Sequence, residues 1–107
     1  MAYKVLAQSA PSAATATDVY TVGSGVETVI STIIIANRAA SAGTFRLSVR
    51  PNGGTQTNAM YCAYDVPVAA NDSTTLTLGL TVDAADVITV YCSSADMSIN
   101  IFGTEIS

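Results

Sequence analysis

The chain has 107 residues, half of them hydrophobic and 11% charged, with a net charge of −4, which is the composition of one small folded domain. Its four basic residues, Lys4, Arg38, Arg46 and Arg50, are too few to neutralise a run of phosphates or anionic lipid heads, so no nucleic acid and no membrane surface is expected as a partner. Histidine is absent, which removes the usual general base near neutral pH and every Ser-His or Cys-His nucleophile arrangement.

No apolar run approaches the roughly 20 residues of a membrane-spanning helix. Residues Met1 to Pro11 contain no sustained apolar segment of a secretory signal, so synthesis in the cytoplasm is expected.

Short bursts of β-branched residues alternate with Gly, Pro, Asn, Asp and Ser clusters, a pattern that predicts strands throughout. Tyr3 to Leu6 is the first candidate strand, and residues 1–17 as a whole are a candidate extended arm ahead of the main body. Asp18 to Val22 begins the next extended piece, and Gly23-Ser24-Gly25 then interrupts the chain. Val26 to Ala36 is the most β-rich stretch; its consecutive Ile33, Ile34 and Ile35 predict a strand buried on both faces.

Gly43 to Arg50 alternates cleanly, with Phe45, Leu47 and Val49 on a core face and Thr44, Arg46, Ser48 and Arg50 on the other. Pro51-Asn52-Gly53-Gly54 is a turn. Met60 to Tyr64 follows as a strand, then a connector containing Pro67 runs to Asn71-Asp72. Ser73 to Leu80 predicts one strand with Leu76, Leu78 and Leu80 in the core. Val87 to Cys92 and Met97 to Phe102 complete the set, the latter directing Ile99 and Ile101 inward.

Seven to eight short strands with no helical periodicity define an all-β chain, a single antiparallel β-sandwich spanning residues 1–107, of jelly-roll or immunoglobulin-like type.

Few residues carry chemistry. Cys62 and Cys92 each follow a tyrosine, but in a reducing compartment buried free thiols are favoured over a bridge, and two thiolates without histidine are two ligands short of a zinc site. No metal or cofactor is expected. Asp83 and Asp86 form the nearest carboxylate pair, and turn residues binding local backbone N–H groups are the favoured reading over a glycosidase pair. Asn71-Asp72-Ser73 matches a glycosylation sequon, but Asn71 and Asp72 also read as turn residues. No catalytic set emerges, and the chain is not expected to be an enzyme.

Arg46 and Arg50 lie four residues apart on one strand face, hence about 13 Å apart. Their forked donors suit carboxylates on a neighbouring subunit, so Arg46, Arg50, Ser48 and Thr44 form the candidate partner interface. Exposed members among Tyr3, Tyr20, Tyr61, Tyr64 and Tyr91 offer an alternative, stacking on sugars in a host-glycan-binding module.

The strings STIIIANRAASAGTFRLSV (Ser31 to Val49) and YDVPVAANDSTTLTLGLTVDAADVITVY (Tyr64 to Tyr91) resemble small virion structural proteins of tailed bacteriophages, including phages of cyanobacteria and marine bacteria. QSAP at Gln8 to Pro11 and DVYTV at Asp18 to Val22 extend the resemblance over nearly the whole chain. It implies a compact β-sandwich without a catalytic set, packed repeatedly in a particle. The expected role is capsid decoration, with tail, baseplate or fibre attachment as the alternative. The expected partners are further copies of the chain, a trimer being favoured, and other virion proteins such as the major capsid or tail proteins. The expected location is the virion.

Overall fold

Nine strands form where β-branched and small polar residues alternate. In the computed structural model, which describes residues 2–107, they are β1 (Lys4–Ser9), β2 (Thr17–Thr21), β3 (Glu27–Asn37), β4 (Gly43–Arg50), β5 (Tyr61–Val68), β6 (Ser73–Leu76), β7 (Leu80–Val82), β8 (Val87–Cys92) and β9 (Met97–Ile106). One sheet has the order β1-β9-β3-β6, with β7 also paired to β3; the other has the order β2-β8-β4-β5. Every pairing is antiparallel.

With β6 and β7 taken as one interrupted strand, this order is that of a jelly roll, eight strands in two four-stranded sheets. The shortest overall dimension, 19 Å, is that of two facing sheets with their outward side chains.

The core lies between the sheets. Ile30, Ile33, Ile35, Ile99, Ile101 and Met97 from the first sheet meet Phe45, Leu47, Ile88, Val90 and Cys92 from the second, all essentially excluded from solvent. Of the expected core, Phe45, Leu47, Ile99 and Ile101 are fully buried, while Val49, Leu76 and Leu80 are half-buried and packed against its margin.

Leu78 is a correction: it is 38% exposed. The cause is an extra residue between β6 and β7 relative to β3, at the level where β3 itself shifts register against β9 between Ile30 and Thr32. Ile30 pairs with Leu80 and Ile33 pairs with Leu76, so three residues, Thr77 to Gly79, span what two span on β3. Gly79 takes a left-handed φ of 61°, the predicted single strand breaks, and Leu78 turns outward.

The expectation that β3 is covered on both faces is also corrected. Its inward residues are buried, but Val29, Thr32, Ile34 and Ala36 face outward and remain half-exposed, because a two-layer sandwich covers only one face of each sheet. Pro67, expected in a connector, sits inside β5. That strand is the edge of its sheet, the position where a residue without an N–H is tolerated. Within residues 1–17, Lys4–Ser9 is an integral edge strand paired to β9.

A hydrogen-bonded group ties the sheets at one end. The Tyr20 hydroxyl of β2 donates to Glu105 Oε2 of β9 at 2.6 Å and lies 2.9 Å from the Thr28 hydroxyl of β3. Lys4 of β1 completes it with an ion pair to Glu105 at 2.9 Å.

Candidate functional site

Alternation in β4 directs Thr44, Arg46, Ser48 and Arg50 to the outer face of the second sheet, across from Tyr91, Thr89 and Val87 of β8. The face is not a row of free arginines. Arg50 donates from Nη2 to Asp18 Oδ1 at 2.9 Å, from Nε to Thr89 Oγ1 at 3.1 Å, and from Nη1 to the carbonyls of Gly53 and Gly54 at 2.9 and 2.7 Å. It fastens the turn after β4 and joins β4, β8 and β2; its side chain is only 17% exposed.

Ser48 is a further correction, being buried at 2% exposure. The segment after Gly54 folds back over it, and its hydroxyl donates to Gln56 Oε1 at 2.7 Å. Thr44 is half-exposed at the far end of the strand.

Arg46 is the centre of an aromatic cluster. Its guanidinium carbon lies 4.2 Å from the Tyr64 ring centroid and 4.5 Å from that of Tyr91. Its Nε donates to Asp65 Oδ1 at 2.7 Å, a bond that with its charge raises the arginine's already high pKa. Both arginines therefore have carboxylate partners within the chain.

A bulge creates this arrangement: β5 slips register between the partners of Phe45 and Leu47, inserting an extra residue opposite Arg46. Asp65 adopts a left-handed φ of 52°, a conformation aspartate tolerates better than most side chains. The insertion brings Tyr64 onto Arg46 and Asp65 within its reach. No signal in the sequence marks it, since the bulge carries no glycine.

Tyr61 joins the cluster edge-on, its ring centroid 4.9 Å from that of Tyr64 and the planes 84° apart. Asn58, from the short turn Asn58–Met60, lines with Tyr61 and Tyr64 an open depression of about 330 Å³. Of the tyrosines outside the cluster, Tyr20 is buried and Tyr3, near the N-terminus, is 76% exposed.

The remaining candidates have structural explanations. Asp86 accepts the N–H groups of Asn52 and Asp83, and Asp83 accepts that of Ala84, so both carboxylates shape turns. Cys92 is a buried free thiol pushed up to about 11 by burial, and Cys62 is a free thiol on the exposed edge strand β5.

The outer face of the first sheet differs in kind. Val29, Ile34 and Phe102 lie on it with Val5, which is 49% exposed, and Tyr3 and Ile106 flank them. Polar neighbours there are uncharged, as in the Gln8 Nε2 to Asn100 Oδ1 hydrogen bond of 2.8 Å. Among the described residues, charge enters at the ends, from Glu27 beside Ile106 and from Arg38, whose Nε bonds Ser98.

In comparisons with known proteins, no family model matches the chain, and no curated protein and no solved structure matches it.

Proposed function

We propose that the chain is a non-enzymatic structural subunit of a tailed-bacteriophage virion that self-associates and decorates the capsid. The observation that carries the reading is the uncharged, partly apolar outer face of the β1-β9-β3-β6 sheet. An uncharged face lets copies of a chain with a net charge of −4 meet without bringing like charges into contact, and this face offers that over the width of a sheet. The jelly-roll strand order supports the reading, because viral capsid domains recur on this architecture. So does the resemblance of Ser31 to Val49 and Tyr64 to Tyr91 to phage virion proteins.

Small subunits gain strong attachment by multivalency: an oligomer engaging several lattice sites converts weak single contacts into tight overall binding. A trimer suits the threefold positions of a capsid. Light scattering on the purified chain tests self-association, with an oligomer expected and Val5→Glu returning it toward monomer. Peptide mass spectrometry of gradient-purified virions tests location, hundreds of copies per particle meaning capsid decoration and a few meaning tail, baseplate or fibre. A chain that stays monomeric at high concentration and is absent from virions overturns the proposal.

A further inference from the structure

The aromatic cluster on the opposite sheet is more elaborate than folding requires. A left-handed aspartate in an edge-strand bulge stores strain on the order of 1 kcal/mol or more, and such strain persists only where surrounding contacts over-determine it. Here those contacts hold a guanidinium over two phenol rings, with a third ring set perpendicular to that of Tyr64. Tyr64 is nevertheless 55% exposed, so much of the assembled platform faces solvent.

The chemistry of the platform restricts its ligand. Arg46 is paired with Asp65, so the platform carries no net charge to favour an anionic or a cationic ligand. The depression beside it is bordered by two phenols and one amide, rigid apolar surfaces carrying neutral donors and acceptors. A purely apolar ligand would leave the Asn58 amide unpaired. A pyranose ring satisfies both needs, presenting a face of C–H groups to an aromatic ring and a rim of hydroxyls to an amide and a phenol. The volume, about 330 Å³, lies at the lower end of the range of roughly 300–1,000 Å³ for small-ligand sites and fits a short saccharide segment.

We infer that Tyr61, Tyr64 and Asn58, held in place by Arg46 and Asp65, form a binding site for a neutral pyranose unit of a polysaccharide. The site does not rest on the assembly reading, because it lies on the other sheet. An oligomer would present several copies, raising a weak single-site affinity by avidity.

The test is an ¹H–¹⁵N NMR titration of the full chain with methyl β-D-glucopyranoside, methyl β-D-galactopyranoside and methyl α-D-mannopyranoside, with light scattering on the same samples. The expected result is saturable shifts with at least one glycoside, confined to residues 58–65 and Arg46. Tyr64→Ala should weaken binding roughly tenfold or more, the effect of losing one aromatic anchor, and Tyr3→Ala should leave it unchanged. Asn58→Ala, in an exposed turn, removes only the amide and should weaken binding with the spectrum elsewhere unaltered. Absence of saturable shifts with all three glycosides overturns the site, as do shifts elsewhere or shifts that survive both Tyr64→Ala and Asn58→Ala. The oligomeric mass read in parallel keeps that failure separate from a failure of assembly.

Discussion

Tyr20→Phe removes one oxygen atom and tests how the two sheets are joined. In the folded chain that hydroxyl donates to the Glu105 carboxylate at 2.6 Å and meets the Thr28 hydroxyl at 2.9 Å, while Thr28 is wholly buried. A hydrogen bond to a charged group contributes about 1.5–3 kcal/mol net, and Thr28 loses a buried partner as well, so a loss of about 2–3 kcal/mol is expected near pH 7. For a domain of this size that is a fall in Tm on the order of 10 °C.

The pH dependence gives the sharper test. The Tyr20 hydrogen bond, and after it Lys4, hold the Glu105 carboxyl below its usual range. A carboxyl with a lowered folded pKa contributes stability that is present above the unfolded value, about 4.3, and is lost as pH falls through the lower folded value. Tyr20 itself is pushed up to about 12, by burial first and by Glu105 second, so its contribution is full below its ordinary value of 10.0 and is lost as pH rises through 12. Urea denaturation of both chains from about pH 2 to pH 8 should show a difference that is largest near neutrality and shrinks in acid as Glu105 protonates. A difference below about 0.5 kcal/mol, or one constant across that range, would refute the tie.

Two further outcomes follow from the second sheet. Arg50→Ala strips four hydrogen bonds, two of them from the carbonyls of the Pro51 to Gly54 turn, so limited proteolysis should cut within residues 51–60 faster than in Arg46→Ala, whose side chain holds no loop backbone. Equal cleavage of the two variants would show that the turn is held by other contacts. A thiol-reactive disulfide reagent should modify one cysteine of the native chain, Cys62, and reach Cys92 only with unfolding, because Cys92 is buried and its thiolate is disfavoured. Modification of both thiols at the same rate in the absence of denaturant would contradict the packing of β8.

The alternating strand β4 and the bounds of the apolar strand β8, which is buried on both faces, were legible in the sequence. Gly43 to Arg50 alternates because Phe45 and Leu47 must enter the core while Arg46 must not, and the expected bounds of Val87 to Cys92 match the strand. Alternation failed where the backbone adds a residue. Asp65 shifts the register of β5 without a glycine to announce it and so reaches Arg46, and the extra residue among Thr77 to Gly79 opposite β3 turns Leu78 out of the core. Arg46 and Arg50 were recognisable as outward-facing, but their partners were not, because Asp65 and Asp18 are brought to them by strand pairing. The sheet order was equally hidden. Only β4 and β5 are neighbours both in sequence and in a sheet, so nearly every pairing joins segments that periodicity treats separately.

That topology also places the face proposed for assembly and the site proposed for saccharide binding on opposite sheets. The strand order places β3 and β4 in opposite sheets, so the stretch Ser31 to Val49 contributes β3 to one outer face and β4 to the other. Ile34 lies on the uncharged face proposed for self-association, and Arg46, twelve residues later, organises the tyrosine platform on the opposite side of the core. A subunit bound through the first face would leave the second directed away from its neighbours. Charge substitutions on one face should then leave the function of the other intact, because between them lies a core of side chains such as Ile33, Phe45 and Leu47 that packs without any charged group.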